Sequence, residues 1–101
     1  MKFLVVTNSI HFDNEVKKLL QKANVKVYSQ MPINGHADVE QENLRDNWFA
    51  MSNQYDKSSV FFAFTEDEKA QKVIELTTEF NNATDSKSKI RAFVMLVENH
   101  N

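Results

Sequence analysis

The sequence predicts an α+β fold in which one antiparallel sheet carries two helices on a single face. Its elements run strand, helix, strand, strand, helix, strand. Three observations carry this expectation. Short β-branched or aromatic runs alternate with two stretches whose apolar residues recur at helical spacing. Glycine and proline occur once each, so few backbone breakers interrupt the regular elements. A length of 101 residues with 42% hydrophobic content suits one small domain spanning 1–101 with a core of its own.

The opening run Lys2 to Asn8 is apolar on both faces, as expected of a strand covered on both sides. A helix follows, because Phe12, Val16, Leu19, Leu20 and Ala23 form one stripe at a period of 3.6. Asp13 and Glu15 fall early in it and Lys17, Lys18 and Lys22 late, matching the helix dipole. The next run alternates, with Val25, Val27, Met31 and Ile33 on one face, and Lys26, Tyr28 and Gln30 on the other. Pro32 cannot donate to a ladder and places this strand's end, or the whole strand, at an edge.

From Asn34 to Lys57 the chain is polar, longer than an ordinary connection, and acidic at Asp38, Glu40 and Glu42. Within it, Leu44, Trp48 and Met51 fit either a helical stripe or the extension of a strand. Ser59 to Phe64 reads as a third strand, apolar on both faces. Thr65 to Glu68 has the pattern of a capping box that opens a second helix with the stripe Ala70, Val73, Ile74 and Thr77. Asn81 to Ser86 closes that helix, and Lys89 to Glu98 forms the last strand.

Right-handed crossovers turn the two strand-helix-strand units into the split arrangement called ferredoxin-like. Two helices cover one sheet face. The other keeps an apolar patch larger than a lone soluble domain usually exposes, so self-association is expected.

Composition narrows the function. The chain has no cysteine, which excludes disulfides, thiolate zinc sites and cysteine nucleophiles. A formal net charge of -2 argues against a general nucleic-acid binder. The opening lacks the apolar core and cleavage site of a signal peptide, and no run is long enough to insert in a membrane, so a cytoplasmic protein is expected. Serine, histidine and aspartate occur in no hydrolase motif, and no enzyme activity is expected.

The element order, the long excursion after the second strand, the opening Lys2-Phe3-Leu4-Val5-Val6-Thr7 and the closing Ile90 to Glu98 resemble the PII-like signalling superfamily. Asp46-Asn47-Trp48-Phe49-Ala50 together with Phe61 to Ala70 resembles a short branch of that superfamily encoded beside heavy-metal efflux genes. The resemblance implies a non-enzymatic regulator of the nitrogen regulatory P-II type, assembled as a homotrimer. It implies a small ligand held at subunit clefts, an adenine nucleotide among the candidates. It also implies a loop, here about 34–57, that docks on a transporter or enzyme such as a metal-efflux pump. The family's segment before the last strand is glycine-rich. Here Asn82 to Lys89 contains no glycine, and the final strand lacks the family's proline.

Three groups of candidate site residues follow. Lys87, Lys89 and Arg91 can supply cationic contacts to a ligand, against the plainer reading of a solvated basic turn. Arg45, Asn47, Trp48 and Phe49 can anchor a partner, since tryptophan and arginine are enriched in binding hot spots; equally, Trp48 can pack the loop base onto the sheet. His36 with Asp38 and Glu40 is the tightest imidazole–carboxylate cluster for a divalent metal ion, against an acidic solvated loop. His11 reads as a surface residue and His100 as part of a tail. Two other architectures compete with the regulator: a CutA-like metal-binding trimer and a dimeric αβ-barrel enzyme.

Overall fold

The computed structural model describes residues 1–36, 57–85 and 89–101. The candidate site residues Asp38, Glu40, Arg45, Asn47, Trp48, Phe49 and Lys87 lie outside them. The described elements are β1 (Lys2–Ser9), a short 3-10 turn (Ile10–Phe12), α1 (Asp13–Lys22), β2 (Ser29–Asn34), β3 (Lys57–Thr65), α2 (Asp67–Ala83) and β4 (Arg91–Leu96). The four strands form one antiparallel sheet in the order β2-β3-β1-β4, the ferredoxin-like arrangement that the sequence predicts.

Register sorts the side chains between two faces, because residues directly opposite one another project to the same side. Leu4 faces Ala63 and Val94, and Val6 faces Phe61 and Ala92. These residues meet the inward stripes of the helices: Val16, Leu19 and Leu20 from α1, and Val73 and Leu76 from α2. Phe12 and Phe80 close the helix layer edge to face, with ring centroids 5.2 Å apart. In the second helix Leu76 is buried and Ile74 is only half-buried, so the inward stripe leans further round than the sequence suggests.

Among the described residues no helix packs on the opposite face. Phe3 sits between Phe64 and Met95, Val5 between Phe62 and Phe93, and Thr7 between Val60 and Arg91. Met31 of β2 lies beside Val60 on the same side. Phe64 is 59% exposed, Met31 47% and Met95 46%, a contiguous apolar surface across all four strands. The rings of Phe3 and Phe64 stack at 5.0 Å, and Phe3 and Phe62 meet at 5.9 Å. Leu4 and Val6 lie on the other side, buried beneath the helices.

The starts of β2 and α2 differ from expectation for physical reasons. The second strand begins only at Ser29. Val25 instead closes α1, where its N–H reaches Leu20 O at 2.9 Å and that of Asn24 reaches Gln21 O at 3.0 Å. This is a Schellman ending, with Asn24 left-handed at φ 66°. Val27, two residues further, is 84% exposed and off the ladder. Thr65 does not cap α2, because its backbone remains in β3 opposite Lys2; Glu66 holds the N-cap position without a side-chain bond. Pro32 lies on β2, which is an edge strand, as a residue lacking an N–H requires.

Phe61 is only 1% exposed at the centre of this core, whereas Val27 packs on nothing comparable. Phe61→Ala is expected to cost about 3–5 kcal/mol and Val27→Ala less than about 0.5 kcal/mol, read from urea midpoints at one protein concentration.

Candidate functional site

The C-terminal ends of β1 and β2 and the N-terminal ends of β3 and β4 converge at one end of the sheet. Segments 37–56 and 86–88 leave the described chain at this same end. Here the core changes character: Thr7, Asn8, Ser9, Ser58 and Ser59 are all buried although polar. Buried polar groups must find partners, and two of these, Asn8 and Ser59, are organised by one carboxylate.

Asp13 begins α1 directly over this end. Its Oδ1 accepts from Asn8 Nδ2 at 2.8 Å, and its Oδ2 accepts from Ser59 Oγ and Gln30 Nε2, each at 3.2 Å. The donors come from β1, β3 and β2 in turn, so a single side chain pins three strands to the first helix. Register explains how they meet: Asn8 lies opposite Ser59 on the helix side, and Gln30 opposite Phe61 on that side too. The position at a helix N-terminus also favours the negative charge. Asn8 Nδ2 donates in addition to Ser9 O at 2.8 Å, while Asn8 Oδ1 is buried without a partner among the described residues. Ser9 Oγ accepts from His11 N at 3.3 Å and starts the 3-10 turn.

At the β4 edge, Asn81 near the end of α2 reads both backbone groups of Ile90. Its Nδ2 donates to Ile90 O at 2.7 Å, and its Oδ1 accepts from Ile90 N at 3.0 Å. The Lys89 ammonium donates to Asn81 O at 3.1 Å and Thr84 O at 3.3 Å, supplying the last carbonyls of the helix with a cation. Lys89 thus has two of its three N–H groups committed among the described residues. Arg91 is exposed beside Thr7 in register and has no ion pair among the described residues. Of the two predicted ligand cations that are described, Lys89 and Arg91, only Lys89 is bonded to backbone carbonyls among the described residues. What this edge can do chemically is hold an anion through charge-assisted hydrogen bonds.

His36 is exposed just past β2, on the other side of this end. Among the described residues no three of His, Cys, Asp and Glu come close enough to hold a metal ion. His11 is exposed in the 3-10 turn, and exposed His100 contacts Asn101 O through Nδ1 at 2.7 Å. The sequence reading missed Asp13 and Asn81. Their signals were present: asparagine and aspartate beside a helix terminus commonly bond backbone or capping partners.

Solved structures share this architecture. CPII from Thiomonas intermedia K12 bound to ADP, AMP and acetate matches with a TM-score of 0.67 at 19% identity over 93% of this chain and 82% of its own. Its apo form, a nitrogen regulatory PII-like protein, gives a TM-score of 0.66 at 19% identity over 92% and 84% of the two chains. A PII-like signalling protein from Thermus thermophilus gives 0.62 at 10% identity over 92% and 82%. No protein-family model and no curated protein matches the sequence. The chain therefore has the fold of PII-like proteins. No helix among the described residues is long and apolar enough to cross a membrane.

Asp13→Ala strands three donors and is expected to cost about 2 kcal/mol of stability. Asp67→Ala, which removes an exposed 3.7 Å ion pair with Lys2, is expected to cost less than about 0.5 kcal/mol. Denaturant unfolding of the two variants side by side checks the contrast.

Proposed function

We propose that this protein is a non-enzymatic PII-like regulator that binds an adenine nucleotide at the loop-bearing end of the sheet and signals through segment 34–57. The observation that carries this is the convergence at one end of the long β2–β3 connection, the segment before β4, and the exposed Arg91. Structural neighbours with this fold bind ADP and AMP, which supports the choice of nucleotide.

The site fits a nucleotide in a particular way. Asn82 to Lys89 contains no glycine, so close approach of backbone N–H groups to phosphates is restricted and side-chain cations take a larger share. Arg91, Lys89 and Lys87 from the adjoining segment are the residues we assign to the phosphates. The protein binds as a homotrimer whose bare sheet faces pack inward, which places a neighbouring subunit against each site. Binding shifts the loop between two states by its differential affinity for them. Arg45, Asn47, Trp48 and Phe49 then form the docking element for a membrane transporter. A metal-efflux pump is our first choice, on the resemblance of 46–50 and 61–70 to the short branch beside efflux genes. Such a regulator works in the cytoplasm, where nucleotide and pump meet.

Titration calorimetry with ADP, AMP and ATP tests the reading. Saturable binding approaching one nucleotide per chain is expected, weakened roughly tenfold by Arg91→Ala through the loss of one charge-assisted contact. Arg91 is the cleaner probe, because Lys89→Ala also removes the cation that caps α2. Absence of binding by the unmodified protein for all three nucleotides would contradict the proposal.

A further inference from the structure

The outer side of α1 carries a charge opposed to that of the chain. The formal net charge is -2, yet Lys17, Lys18 and Lys22 on the helix and Lys26 beyond it are all exposed. None forms an ion pair among the described residues. The chain reverses at the left-handed Asn24, and Lys26 joins Lys17, Lys18 and Gln21 around an open groove of about 430 Å³. Val25 and Tyr28 complete the lining. Val25 is buried in the core, and the Tyr28 ring is anchored 5.7 Å from that of Phe61. The Tyr28 hydroxyl has no hydrogen bond among the described residues. A fixed apolar and aromatic floor therefore sits within a rim of ammonium groups that have no ion pair among the described residues.

We propose that this groove docks an acidic segment of a partner protein that carries an apolar or aromatic side chain. The lysine rim attracts carboxylates on either side of that residue, and the Val25–Tyr28 floor receives the side chain itself. Complementary charge steers such an encounter, and burial of the central anchor holds it. Other polyanions fit less well. A membrane-seeking helix turns its apolar stripe outward, whereas α1 keeps Val16, Leu19 and Leu20 in the core. A nucleic-acid surface extends along a basic stripe, and this one ends within a few residues. The groove lies on the helix side of the sheet, so its occupancy does not depend on the nucleotide reading or compete with the bare face.

The test is an amide NMR titration of the full chain with a synthetic peptide of glutamates flanking a central phenylalanine. Saturable shifts confined to Lys17, Lys18, Gln21, Lys26 and Tyr28 are expected. Lys17→Glu, Lys18→Glu and Lys26→Glu together should weaken binding roughly tenfold or more, since each exposed pair contributes modestly. All three are surface positions, and an unchanged spectrum elsewhere verifies the fold. Replacing the peptide's phenylalanine by serine should weaken it several-fold. Three results would overturn the proposal: no shifts, shifts spread equally over Lys69 and Lys72, or occupation of the groove by phosphatidylserine vesicles or single-stranded DNA but not by the peptide.

Discussion

A sheet that is apolar on both sides, with both described helices on one of them, constrains everything else in this molecule. Leu4, Val6, Phe61 and Ala63 are satisfied by α1 and α2. Phe3, Val5, Phe62, Phe64 and Met95 project the other way, where no helix among the described residues packs. At about 25 cal/mol per Å² of apolar surface removed from water, covering such a face is a substantial driving force. A second copy of the same face is the simplest cover, since aromatic rings on a twisted sheet offer shape as well as area. Association through it would set the site end of one chain beside a neighbour.

The polar end works by the opposite logic. Where the strands stop contributing hydrophobic side chains, Asn8, Ser59 and Gln30 converge on Asp13, and Asn81 grips Ile90. These contacts tie three strands to α1 and hold the residue before β4, while Arg91 is exposed and without an ion pair among the described residues. A loop whose state is to report on a ligand requires such a base: firm strand ends beneath, and an available charge alongside. The carboxylate also ties α1 to β2, the strand from which the long connection departs.

Much of the fold was legible because it was written in periodicity. The α1 stripe and the two-faced runs of β1 and β3 appear in the sequence where they appear in space. What was not legible depended on competition between neighbouring elements. Val25 and Val27 alternate like a strand, yet a Schellman ending takes the first into the core and leaves the second in solvent. Thr65 and Glu68 have the spacing of a capping box, but the ladder to β1 holds Thr65 in the strand. The site was harder still. Lys89 and Arg91 look alike in sequence, and only the carbonyls of Asn81 and Thr84 mark Lys89 as the helix-capping cation. Asp13 reads as a dipole-matched helix residue, and nothing local reveals that its donors lie on three strands.

The central claim is that the bare face of Phe3, Phe62, Phe64 and Met95 is covered by further copies of this chain. Sedimentation velocity of the unmodified protein across a wide concentration range tests it most directly. The account predicts one species with the mass of three chains, persisting on dilution. A stable monomer at every concentration would show that the face needs no cover of this kind and would contradict the account.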